Sequence, residues 1–206
     1  MKQLVIVGAG GFGRETALMV DQMQSWNLVG FYDDGLQPGT MVNDQTVIGN
    51  INKLNEVTHD LEVVIAIADP SIRQQIANSL KNEKLYFPTL FHPTALAGHT
   101  ANKFGKGCII TAGVILTTGI TLGDFVIVNL ATTIGHDVFI DHYTSIMPQC
   151  SISGSVKLGE RCFVGSGSRI LQGISIGDDS IVGAGAVVTK SFEANSKLVG
   201  VPALNS

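Results

Sequence analysis

A period of six constrains this chain more than any other feature. Stepping by six from Phe104 gives Ile110, Leu116, Leu122, Val128, Ile134, Ile140, Ile146, Ile152, Leu158, Val164, Ile170, Ile176, Val182 and Val188. All 15 positions are large and apolar, with no slip across 84 residues. An α-helix repeats at 3.6 and a simple strand at 2, and neither sustains six. A strict hexapeptide repeat predicts a parallel β-helix, in which each repeat supplies one short strand of a triangular coil. Three repeats close one turn, so the segment holds about five turns.

Strand alternation turns the residue two before each apolar position inward as well. That second column, from Cys108, Val114 and Ile120 to Ser180 and Ala186, is small or β-branched throughout. Cys108, Cys150 and Cys162 all fall in it and are expected as buried packing thiols. Three cysteines cannot all pair, and their spacing matches no zinc or redox motif. Residues one before the apolar position face outward. One such column reads Ile109, Ile127, Ser145, Phe163, Ile181, an apolar stack expected to be a contact surface in a cyclic homo-oligomer.

The first part of the chain has a different grammar: residues 1–103 hold 17 of the 30 charged side chains, residues 104–188 only 10. Leu4–Val7 is a short apolar run of the kind that forms a buried parallel strand. Gly8-Ala9-Gly10-Gly11-Phe12-Gly13 follows, then a helical stretch from Arg14 to about Met23. Leu28–Tyr32 reads as a second strand ending at Asp33-Asp34, and Val63–Ile67 as a third. Ser71 is placed to cap a second helix with Ile72, Ile76 and Leu80 on one face. The expected organisation is a small α/β domain with a parallel sheet over 1–90 and a β-helix domain over 91–206.

Composition removes several classes of function. A net charge of −4 offers no basic field for nucleic acid or an anionic membrane. No uninterrupted apolar run approaches the roughly 18 residues of a spanning helix, and the apolar run at the N-terminus is too short for a signal peptide. The expectation is a cytoplasmic protein without membrane insertion.

Gly8, Gly10 and Gly13 satisfy G-x-G-x-x-G between strand and helix, and Asp33 lies 20 residues beyond Gly13. Such glycines let backbone approach a phosphate at a helix N-terminus. About 85 residues of α/β structure suffice for one mononucleotide half, so a nucleotide diphosphate smaller than a nicotinamide dinucleotide fits better. A nicotinamide-binding module trimerised by the β-helix stays as an alternative. His59 and His92 are expected to be structural or solvated, and nothing marks His99. His136 and His142 each stand two places after an apolar position, at outward corners. Asp137 adjoins His136 and could orient its ring and hold its charge. The two histidines occupy successive corners and cannot share one ion within a chain, so no metal is expected.

The glycine loop, Asp33-Asp34, the unbroken hexapeptide array with Ile134-Gly135-His136-Asp137, and the closing Gly200-Val201-Pro202-Ala203 resemble one bacterial family. It comprises sugar acetyltransferases: UDP-4-amino-sugar and GDP-perosamine N-acetyltransferases and sialic acid O-acetyltransferases. The resemblance spans nearly the whole chain. It implies a small Rossmann-like N-terminal α/β domain followed by a left-handed β-helix, a homotrimer, acetyl-CoA as co-substrate between subunits, and a nucleotide-activated amino sugar held by the N-terminal domain. His136 matches the family's catalytic base, Asp137 its acidic neighbour, and Gly154 a glycine whose N–H faces the thioester oxygen. Gly10, Gly11 and Phe12 match the loop against the nucleotide sugar, and Asp33 and Asp34 the acidic pair at its base or ribose. Ala68 falls at a sugar-contact position where the pattern has glycine. Ser145, Ser166 and Ala184 match positions lining acetyl-CoA. The implied reaction is direct N-acetylation of a nucleotide-linked 4-amino-dideoxy sugar without a covalent enzyme intermediate, with O-acetylation of sialic acid as an alternative.

Overall fold

A computed structural model describes residues 1–98 and 101–206, so His99 lies outside the described residues. The chain divides into two compact units, Met1–Pro88 and Thr89–Ser206.

In the first unit, β1 (Lys2–Val7), α1 (Gly11–Met23), β2 (Trp26–Tyr32), β3 (Met41–Val42), β4 (Gln45–Gly49), β5 (Leu61–Ile65), α2 (Pro70–Ser79) and β6 (Leu85–Tyr86) follow in order. They form one sheet in the order β3-β4-β2-β1-β5-β6, parallel except for the β3–β4 hairpin. Leu4, Val5, Ile6, Val7, Val63, Val64 and Ile65 are buried, which explains why β1 and β5 read as continuous apolar runs. The β3–β4 hairpin was not anticipated, because Gln45-Thr46-Val47-Ile48-Gly49 carries little apolar signal.

The second helix differs from expectation in two ways. Its N-cap is Asp69, whose side chain accepts the Ile72 N–H at 2.9 Å, with Pro70 at the first helical position. Proline there brings the start forward, so Ser71 is inside the helix and caps nothing. Ile72 is 48% exposed, whereas Arg73 beside it is fully buried. The helix therefore turns Arg73 toward the interior in place of Ile72, while Ile76 is half-buried and Leu80 buried as expected.

The second unit is a parallel β-helix. Two-residue strands stack in register eighteen residues apart, as Ile109 on Ile127 on Ser145 on one face, Thr133 on Ser151 on Arg169 on the second, and Thr121 on Phe139 on Lys157 on the third. Both expected inward columns are buried from Cys108 to Val188. Each repeat turns its corner at the third residue after the apolar position. All 14 such residues from 107 to 185 have positive φ; six are glycine, and eight, Asp137 among them, are not. This left-handed residue at every corner is what folds a run of six into a triangle.

The polar members of the inner column are satisfied by backbone. Thr144 Oγ1 donates to Gly159 O at 2.7 Å and Ser168 Oγ to Gly183 O at 2.9 Å. The three thiols use the same geometry, with Cys162 Sγ donating to Gly177 O at 3.2 Å. All three are free and buried, and burial pushes the Cys162 thiol up to about 11.

The outward column requires a correction. Ile109, Ile127 and Ser145 are each 0% exposed, covered within the single chain. Of that column only Phe163 and Ile181 retain accessible surface, so it is not a contact stripe for another copy. No described helix is long and apolar enough to cross a membrane.

Candidate functional site

In the first unit, the candidate residues gather at the carboxyl ends of β1, β2 and β5. Gly8 adopts φ +96° and donates to Tyr32 O at 2.9 Å, closing the turn out of β1. A Cβ on Gly13 would collide with the Gly8 carbonyl, so glycine there is required for α1 to begin so close to the strand. By contrast, a Cβ on Gly10 or Gly11 would meet nothing within 4 Å. Packing does not demand glycine at these two positions, and both are exposed at the start of α1. Gly10 is the N-cap without a side-chain bond to the helix, and the first turn holds no acidic residue. The first N–H groups of α1 therefore remain open to an anion.

Asp33 and Asp34 are already engaged. Asp33 accepts the Ala9 N–H through Oδ2 and the Gly35 N–H through Oδ1, both at 2.8 Å. Asp34 accepts the Ile51 N–H at 2.9 Å. The pair thus ties the glycine turn and the 49–51 connection to the end of β2, and each oxygen keeps a lone pair for a ligand.

Arg73 is a residue of this region that the sequence reading missed. Its guanidinium, fully buried, donates to Ile67 O at 2.6 Å and Ala68 O at 3.2 Å. Ile67 in turn lies over the glycine turn, where a Cβ on Gly8 would stand 2.6 Å from its Cδ1. Arg73 therefore fixes the segment that carries Ala68. The available signal was an arginine between apolar helix positions.

In the second unit, the two histidines separate by role. At the corner of His142, side chains cap the N–H one coil earlier. Asp124 Oδ1 accepts from Lys106 N at 3.0 Å, His142 Nδ1 from Asp124 N at 2.8 Å, and Asp178 Oδ1 from Glu160 N at 2.9 Å. His142 is one member of this ladder, and its work is structural. His136 does something else: its Nδ1 is 2.9 Å from Asp137 Oδ2. A carboxylate at Nδ1 holds the proton there and leaves Nε2 as an acceptor. That edge faces Gly154, eighteen residues on, where a Cβ would stand 2.5 Å from Nε2 and 2.6 Å from Cε1. His136 is 52% exposed and Asp137 69% exposed, so the ring borders solvent on its other side. Among the described residues, no group of three or more histidine, cysteine or acidic side chains could hold a metal ion.

The remaining sequence candidates divide. Ser166 and Ala184 are exposed and stack one coil apart at one corner, with Gly185 N donating to Ser166 O at 2.8 Å. Ser145 is fully buried on an adjoining face, so its hydroxyl is closed to a bound molecule.

Comparison with known proteins identifies the family. The family model for the PglD N-terminal domain matches residues 3–80, and that for the hexapeptide repeat of succinyl-transferase matches 155–190. GDP-perosamine N-acetyltransferase of Escherichia coli O157:H7 is 33% identical over 187 residues, covering 87% of this chain and 82% of the relative. The chain belongs to this family of sugar acetyltransferases. Two solved structures share the fold over the whole chain. The acetyltransferase domain of PglB from Neisseria gonorrhoeae FA1090, in complex with acetyl coenzyme A, superposes with a TM-score of 0.93 at 29% identity, with 99% of that chain covered. PerB from Caulobacter crescentus, in complex with CoA and GDP-perosamine, gives 0.91 at 27% identity, with 98% covered.

Proposed function

We propose that this chain transfers an acetyl group from acetyl-CoA to the amine of a nucleotide-linked 4-amino-dideoxy sugar, with His136 as general base. The observation that carries the proposal is the His136–Asp137 pair. Nδ1 is held by a carboxylate at 2.9 Å, and Nε2 is directed along the bare edge of Gly154. A base needs this arrangement, a fixed tautomer with a free acceptor nitrogen beside a surface that a reactant can approach.

The sugar amine attacks the thioester carbonyl as His136 Nε2 takes its proton. A tetrahedral oxyanion forms, and the Gly154 N–H is the donor assigned to it, a contact typically worth about 2.7–4 kcal/mol. The C–S bond then breaks, the CoA thiolate recovers a proton from the imidazolium, and an amide and free CoA leave. No enzyme nucleophile is used, in keeping with three cysteines buried in the β-helix interior. The open N-terminus of α1, with Gly10, Gly11 and Phe12, suits the diphosphate of the acceptor. Asp33, Asp34 and the Arg73-braced Ala68 segment are assigned to its nucleoside and sugar. The exposed corner of Ser166 and Ala184 is assigned to acetyl-CoA.

The proposal includes a homotrimer. It is supported by exposed apolar side chains on the β-helix surface outside the corrected column, among them Ile115, Leu130, Phe139 and Leu171 at 40–46%. Light scattering should give three times the 21.7 kDa chain mass.

The test of substrate class is thiol release from acetyl-CoA across UDP-, GDP- and dTDP-linked 4-amino sugars and sialic acids, with the product identified by mass and NMR. Release with an amino sugar, yielding an amide, supports the reading. Release with sialic acid alone would move the acceptor to a hydroxyl, and no release with any acceptor would remove the reading.

A further inference from the structure

Gly119 stands one coil before Asp137, as Gly154 stands one coil after His136. A Cβ on Gly119 would lie 2.5 Å from Asp137 Oδ1, while Asp137 Oδ2 is the oxygen bonded to His136 Nδ1. The carboxylate that holds the histidine therefore rests on the bare Cα of Gly119. We infer that Gly119 is a positioning residue for catalysis, keeping the floor beneath Asp137 open so that its carboxylate lies in the plane His136 requires. The inference rests on the proposed role of His136.

The ordinary explanation for a glycine here is its φ of +70°. That explanation is insufficient, because eight of the 14 corner residues with positive φ carry side chains. The other corner glycines separate the two causes. Gly113 has φ +69°, yet a Cβ there meets only Ala131 at 3.7 Å or more, an ordinary contact. At Gly167, Gly173 and Gly185 a Cβ meets nothing within 4 Å. Gly107 is crowded, but by the Phe125 ring, which has no part in the proposed chemistry. At Gly119 the crowding atom is the free end of a flexible carboxylate. An added methyl would be relieved by moving that carboxylate rather than by breaking the coil.

The test compares Gly119→Ala with Gly113→Ala, which imposes the same left-handed backbone strain with only ordinary contacts to Ala131. Both are made in the wild type and in Asp137→Ala, with His136→Ala alongside. Gly119→Asn adds the same Cβ on a residue that tolerates the left-handed region and keeps the test alive if the alanine variant folds poorly. Gly119→Ala should lower kcat about tenfold or more. KM for both substrates should hold, and the pH profile of kcat/KM should move. Gly113→Ala should stay within about twofold of wild type. In the Asp137→Ala background, Gly119→Ala should have no further effect, since the group it acts through is gone. Equal losses from the two glycine variants, or an undiminished loss without Asp137, would overturn the inference. If His136→Ala abolishes activity while Gly119→Ala leaves it intact, this inference alone fails. If His136→Ala retains full activity, the catalytic reading fails and takes Gly119 with it.

Discussion

Gly154→Ala puts the most geometry to the test with the fewest atoms. Gly154 does not have a positive φ, so its backbone accepts alanine. The new Cβ would stand 2.5 Å from His136 Nε2, 2.6 Å from Cε1 and 3.0 Å from Cδ2, where ordinary contact begins at 3.4 Å. The ring must therefore retreat by nearly 1 Å. It is 52% exposed and can swing toward solvent, so the movement leaves the coil intact. A displacement of this size at a reacting group costs about 10²-fold in rate, equivalent to about 2.7 kcal/mol of barrier. Steady-state thiol release should show kcat falling by that factor, while thermal unfolding stays within a few degrees of wild type. A variant that keeps its kcat would refute the placement of His136 Nε2 at the reacting centre. A collapse in Tm with no separate effect on kcat would show that the ring is packed rather than poised.

Three further outcomes follow from the fold. Asp69→Ala should destabilise the first unit by about 1 kcal/mol through loss of the α2 cap, while Ser71→Ala should change stability by less than about 0.5 kcal/mol. Denaturant melts of the two variants check this. Cys162, its thiol pushed up to about 11 by burial, and the equally buried Cys108 and Cys150 should resist a disulfide reagent until the protein is unfolded. Native labelling of any of them at neutral pH would contradict the inner column. Arg161 donates through Nε and Nη2 to the two oxygens of Asp179, both at 2.7 Å, which lowers the Asp179 carboxyl below its ordinary 3.8. A lowered carboxyl contributes stability that is fully present above the unfolded value and is lost as pH falls through the folded one. Asp179→Asn should therefore narrow its deficit against wild type below about pH 3.8, as acid melts would show.

The β-helix was legible because its constraint is periodic. Every coil repeats the same inward positions, so a register set at Phe104 places Val188 without further information. The corner geometry was legible only in part. Six glycines mark the left-handed position, but Phe125, Tyr143 and Arg161 occupy it too and hide the pattern. His136 stood out because its partner is the next residue, so adjacency in sequence becomes a 2.9 Å contact. His142 looked equivalent on spacing alone. Its role depends on Asp124 in the preceding coil, a partner eighteen residues away. The burial of Ile109, Ile127 and Ser145 could not be read from alternation, which gives the face a residue points to but not what covers that face. Arg73 escaped for a related reason: it bonds the backbone carbonyls of Ile67 and Ala68, partners that no residue type in the sequence announces.

The central claim is that His136, held by Asp137, is the base of a direct acetyl transfer. The measurement that tests it most directly is kcat/KM for acetyl transfer by wild type and His136→Ala, with the best nucleotide amino sugar and folding verified for both. The account expects a loss of at least about 100-fold with unchanged acetyl-CoA binding, the scale of general-base catalysis. A folded His136→Ala enzyme within a few-fold of wild type would contradict it.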